Sequence, residues 1–235
     1  LSEAHKAKLL EATKADTVEA QNKAAKEIAD ELKTAPDHVQ KQAANGNVAA
    51  VFQYLKTPGK LPLHVLEVIK RIEKIKDFSP TIKMVDSLPS GNVAEYDPKT
   101  NVITLTKAGT NAQTLAHELV HAATINVLNK YEKGGKLTDQ QRDAAEHLNY
   151  LMEKTKGQLA EKFSDAYKNV YEFASEALTN EDFQKELNKI NVSRDEAIRA
   201  PQTAWGQFVT AIAKLLGWTG DQTPTALMEA VKAFD

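Results

Sequence analysis

The chain of 235 residues contains no cysteine. That excludes a disulfide framework, thiolate metal ligands and a cysteine nucleophile. Arginine is scarce, at Arg71, Arg142, Arg194 and Arg199 only, so bidentate phosphate recognition is not a theme of this surface. Neither sign of charge is in excess: 30 Lys plus Arg against 32 Asp plus Glu leave a net charge of −2. No nucleic-acid partner is expected from that balance. No apolar run approaches the roughly 18 residues that cross a bilayer. No signal peptide is recognisable and the first residue is Leu1, not Met; the chain reads as processed or excised from something longer.

What is present is a 42% hydrophobic composition, enough for a sizeable core in one domain with extensions. Residues 1–60 read as a helical N-terminal extension. Leu9, Leu10, Val18, Ala25, Ile28 and Leu32 recur at helical spacing before Pro36, and Val48, Val51, Phe52 and Leu55 form a second apolar patch. Residues 62–76 form a further helix, with Pro62 at its start and an apolar face from Val65 to Ile75. Strand signals are confined to about 81–106. Ile82 and Met84 alternate with polar neighbours, and 93–96 and 102–106 flank the turn residues Asp97 to Asn101 as a hairpin. From residue 110 onward the pattern is helical. Thr110 with Gln113, Thr138 with Gln141 and Ser193 with Glu196 fit capping boxes, and Thr223 before Pro224 suits another helix start. The expected class is therefore α+β, mostly helical, with a core over 61–192 and C-terminal helices over 193–235.

The chemistry concentrates in His117-Glu118-Leu119-Val120-His121. On a helix, positions i and i+4 share a face, so both imidazoles can offer a ring nitrogen to one Zn²⁺. Glu118 lies about 100° around the axis, placed to reach a water on the metal and act as general base. The flanking Leu115, Ala116, Ala122, Ala123, Ile125 and Leu128 mark a buried helix, where unpartnered polar side chains are costly. The alternative is a pair of core histidines bonded to backbone carbonyls. Thr124 and Val127 stand where a His-x-x-Gly-x-x-His site would need glycine and histidine, so the third ligand must come from elsewhere. His147 lies in a polar stretch and reads as a surface residue. Glu172, 51 positions after His121 (172 − 121), shares a face with Glu176 in Tyr171-Glu172-Phe173-Ala174-Ser175-Glu176. Two carboxylates on one apolar helix repel unless a cation or hydrogen-bond donors stand between them. Two solvated glutamates on an ordinary amphipathic helix are the bland alternative. Tyr167 and Tyr171 are the nearest candidates in sequence for a donor to a developing oxyanion, with Tyr150 and His147 behind them.

These residues resemble the gluzincins, the thermolysin-like zinc metallopeptidases, in which a downstream Glu-x-x-Ser-Asp supplies the third ligand and a partner for a zinc-binding histidine. Here Glu172-Phe173-Ala174-Ser175-Glu176 follows that order with Glu in the last place. The resemblance implies Glu172 as metal ligand and Glu176 as the residue orienting His117; the longer carboxylate at 176 leaves an exchange of roles open. Over about 80–190, Glu95-Tyr96-Asp97-Pro98, Asn101 to Leu105, the motif helix and the Glu172–Asn180 run are similar to zincin-like domains of large polyvalent proteins of bacteriophages and prophages. That implies a zincin-like fold, one zinc per chain, and an extended peptide or protein substrate along a strand edge, with residues 102–106 as the expected edge and ordinary strands of a small sheet as the alternative. It also implies a setting in a larger phage polyprotein, in a virion or a bacterial host cell. A structural or ejected virion component and a toxin-like effector protease are the alternatives to a working endopeptidase. Finally, Trp205, Phe208, Val209, Ile212, Leu215, Leu216 and Trp218 form a stripe expected to pack on the core. A membrane-surface or partner-binding helix is the other use of such a stripe, weakened by Lys214 being its only base.

Overall fold

The computed structural model describes residues 34–75, 78–192 and 203–218. The helices expected before Pro36, the Ser193 capping box and the Thr223 helix start lie outside them. Among the described residues the elements run α1 (Asp37–Ala44), α2 (Val48–Leu55), α3 (Leu63–Glu73), β1 (Thr81–Met84), β2 (Ala94–Asp97), β3 (Val102–Leu105), α4 (Ala112–Glu132), α5 (Asp139–Leu159), α6 (Val170–Thr179), α7 (Glu181–Lys189) and α8 (Ala204–Leu215). The protein is α+β and mostly helical, with a three-stranded mixed sheet.

The sheet order is β1-β3-β2. Strands β2 and β3 form the expected hairpin, antiparallel with Ala94 opposite Leu105 and Asp97 opposite Val102. Strand β1 returns parallel to β3, with Thr81 opposite Val102. This corrects the edge assignment: β3 is the central strand, and β2 is the edge that faces α4. Thr106 N donates to Val93 O at 2.9 Å, so residues 93, 95 and 97 turn their backbone polar groups toward β3. Antiparallel alternation then leaves those of Ala94 and Tyr96 pointing outward.

Helix α4 carries the motif, and its ends explain its 21 residues. Asn111, not Thr110, is the N-cap: its side chain accepts from Thr114 N at 2.9 Å. The Thr110 hydroxyl is spent on Lys107 O in a 3-10 turn, Ala108–Thr110, so the capping box expected at Thr110 does not form. At the far end Gly134, at φ +66°, permits the reversal. Gly134 N then bonds Tyr131 O and Gly135 N bonds Lys130 O, which satisfies the last carbonyls. Ala35 N bonds Thr110 O, tying the start of the described chain to the turn before α4. At α5 the expected capping box is complete, with Thr138 and Gln141 bonded reciprocally.

One apolar core joins all these layers. The described part of the N-terminal segment belongs to it, since Val51, Phe52 and Leu55 of α2 are buried beside α3 and α4. Helix α8 packs on α5, α6 and α7, with Trp205 and Phe208 fully buried. Thr210 and Lys214 are its exposed positions, so the stripe is spent on the core and offers no free apolar face. Phe173, Phe183, Phe208 and Tyr167 meet in edge-on and tilted ring contacts between α6, α7 and α8. No described helix is long and apolar enough to cross a membrane.

Candidate metal centre

Helix α4 packs along α6, and this pairing builds the site. His117 and His121 stand one turn apart on the inner face of α4, their rings at 4.7 Å between centroids and 75° between planes. Glu172 comes from the first turn of α6. Its position is set by Asn169, whose side chain accepts from both Tyr171 N and Glu172 N and starts the helix there. A carboxylate in the first turn is also favoured by the helix dipole.

The three side chains converge through one atom each. His121 Nε2 is 3.1 Å from His117 Nε2 and 3.1 Å from Glu172 Oε2. His117 Nε2 is 3.8 Å from the same oxygen. Ligands about 2.0–2.1 Å from a tetrahedral Zn²⁺ lie about 3.3–3.4 Å from one another, the tetrahedral edge for that bond length. The observed triangle brackets that spacing. Nitrogen, nitrogen and carboxylate oxygen is also the donor set of a three-ligand catalytic zinc site. The set therefore fits zinc. Through these nitrogens the histidines meet each other and Glu172 rather than backbone carbonyls.

Burial opposes ionisation of Glu172, but the imidazoles of His117 and of His121, the latter 3.1 Å away, outweigh it and hold the carboxyl far below its ordinary range. Burial likewise works against protonation of His117, yet the negative charges of Glu172, 3.8 Å away, and of Glu118 and Glu176 win and raise its pKa. Glu118, only 6% exposed, is pushed upward by burial, with His121 and His117 pulling the other way.

The triangle opens into a cleft of about 520 Å³. Its walls are residues 92–96 with β2 on one side and the N-terminal part of α4 beneath. Tyr171 and the approach to α6 close the other side. The cleft is rich in carboxylates, and the one Lys or Arg among its described lining residues, Lys168, is paired with Asp165 at 2.7 Å.

Of the sequence-derived candidates, His117, Glu118, His121, Glu172, Glu176 and Tyr171 all line the cleft. Tyr167 does not. It is 8% exposed in the aromatic core, and its hydroxyl bonds Thr155 Oγ1 at 2.7 Å; the 3-10 turn Ser164–Tyr167 directs it inward. The Tyr171 hydroxyl bonds Asn129 Oδ1 and Glu132 Oε2. Burial and Glu132 together keep that phenol protonated well above its usual range. Tyr150 and His147 face each other as a tilted ring pair, 5.8 Å between centroids, and neither lines the cleft. Glu176 approaches the far side of His117, with Oε1 3.9 Å from Nδ1, while Glu172 faces the Nε2 atoms. Sequence reasoning missed Thr179, Gln113 and Asn169. Thr179 lies seven residues after Glu172 on the same helix face, a spacing that could have flagged it.

Comparison with family models, with curated proteins and with solved structures gave no match to this chain.

Proposed function

We propose that this chain is a zinc-dependent peptidase of gluzincin type with a zincin-like fold. One observation carries the proposal: two imidazole nitrogens one helical turn apart and a carboxylate oxygen from a second helix converge within 3.1–3.8 Å, with a buried glutamate lining the same cleft. His117 Nε2, His121 Nε2 and Glu172 Oε2 would hold the metal. When bound, zinc supplies Lewis acidity, activating water and polarising the scissile carbonyl. Glu118 takes the proton of the attacking water and delivers it to the leaving amine, one residue serving as base and then acid. Tyr171 stands on the cleft wall as the remaining tyrosine candidate for oxyanion stabilisation; its hydroxyl must leave Glu132 to donate to substrate.

The outer edge of β2, which no strand pairs among the described residues, favours an extended peptide as substrate. Ala94 and Tyr96 present outward N–H and C=O groups at the cleft rim, which pair with any backbone of suitable register. The association with phage rests on the sequence resemblance over 80–190.

The test is metal analysis of the purified chain together with cleavage of a broad peptide library. The reading expects one zinc per chain, cleavage lost on chelation and restored by zinc, and Glu118→Gln inactive with its zinc retained. Cleavage undiminished in Glu118→Gln would falsify the assigned base. Zinc without cleavage by the wild type would favour the structural virion role.

A further inference from the structure

We propose that Thr179 is the positioning residue for His117, accepting a hydrogen bond from Nδ1–H and so committing the imidazole to the tautomer whose Nε2 lone pair faces the metal position. The inference rests on the metal-site reading above and assigns a role that the motif resemblance gives to Glu176.

Thr179 Oγ1 is 2.7 Å from Ser175 O. A carbonyl only accepts, so the single hydroxyl proton is committed there. The same oxygen lies 3.2 Å from His117 Nδ1 and has only lone pairs left to offer. Nδ1 must therefore carry the proton, and Nε2 is left as the basic nitrogen. Glu176 is not the acceptor: its Oε1 stands 3.9 Å from Nδ1, beyond hydrogen-bond range. Its Oε2 accepts from Asn180 Nδ2 at 3.0 Å.

Thr179 is itself fixed to the motif helix. Gln113 Nε2 donates to Thr179 O at 3.1 Å, and Gln113 lies four residues before His117, on the same face of α4. The last turn of α6 and the first turns of α4 are thus clamped at Thr179. A hydroxyl acceptor orients the ring and selects the tautomer without adding the charge that a carboxylate would bring, so the basicity of His117 is left to Glu172 on the other side.

The experiment uses the full chain as wild type, Thr179→Val, Thr179→Ser and Glu176→Gln. Long-range ¹H–¹⁵N spectra of the metal-free proteins, at a pH where the imidazoles are neutral, read the His117 tautomer. Competition with a chelator reads zinc affinity. Wild type and Thr179→Ser should show the Nδ1–H form and similar affinity. Thr179→Val should lose the tautomer preference and bind zinc about 10–100-fold more weakly, with Glu176→Gln losing less. An Nε2–H tautomer in the wild type overturns the proposal. So does wild-type zinc affinity in Thr179→Val, or a larger loss in Glu176→Gln than in Thr179→Val. If no protein in the set binds zinc, the metal reading fails, and the tautomer spectra alone decide the role of Thr179.

Discussion

Gly109→Ala tests whether the packing of the turn before α4 sets the position of the substrate edge. Gly109 sits in the buried 3-10 turn between β3 and α4. A Cβ there would lie 2.9 Å from the carbonyl carbon of Val93, closer still to its oxygen, and 3.4 Å from Ala94 Cβ. Non-bonded carbons settle at about 3.5–4.0 Å, so Val93 must retreat by at least about 0.6 Å. It cannot swing freely, because its carbonyl accepts from Thr106 N at 2.9 Å and Thr106 Oγ1 at 3.0 Å. Overpacking of this kind costs about 1–3 kcal/mol. At about 2–4 °C per kcal/mol for a chain of this size, the melting temperature should fall by about 2–12 °C. Residues 93–96 form the cleft wall, and a displacement approaching 1 Å can cost up to about 100-fold in rate. Peptide kcat/KM should therefore drop while zinc affinity holds, since the ligands lie on α4 and α6. Thermal melts and cleavage kinetics on the same preparation read both effects. A melting temperature and kcat/KM indistinguishable from wild type would refute the idea that this contact is tight.

Glu118→Gln should stabilise the metal-free protein at pH 8. The folded pKa of Glu118 is raised above the ordinary 4.5, so its contribution is fully present below pH 4.5 and lost as pH climbs through the folded value. Melting curves should show the variant ahead at pH 8 and the gap closing in acid; a variant no more stable at pH 8 contradicts the burial argument. Zinc binding should weaken as pH falls, because metal competes with protons for His117. His117 is raised above its ordinary 6.5, so the loss should begin above that pH. Chelator competition from pH 8 to pH 5 checks it, and affinity unchanged over that range counts against histidine ligation. Tyr167→Phe should cost about 0.5–1.5 kcal/mol through its lost bond to Thr155 and leave peptide cleavage at the wild-type rate. A loss of cleavage with stability intact would return Tyr167 to the site.

The motif helix was legible because burial and spacing agree over many residues, from Leu115 to Leu128. Its start was misplaced by one residue because Thr110 and Asn111 are both capping types, and only the bond from Thr110 to Lys107 O separates them. The hairpin was legible from alternation around Asp97 to Asn101. The edge was not, because strand order depends on β1 pairing with β3 across more than 20 residues, which local pattern does not encode. Tyr167 looked close to Glu172 in sequence, but it ends the 3-10 turn Ser164–Tyr167, which points it into the core. Glu176 shares a face with Glu172 as its spacing implies. Whether it or Thr179 meets Nδ1 depends on tenths of an ångström in the packing of α6 on α4, below what periodicity resolves.

Anomalous diffraction from crystals of the zinc-loaded chain, at energies either side of the zinc edge, bears most directly on the metal site. A single peak is expected between His117 Nε2, His121 Nε2 and a Glu172 carboxylate oxygen, at about 2.0–2.2 Å from each. A peak elsewhere, or full zinc loading with Glu172 turned away from the metal, would contradict it.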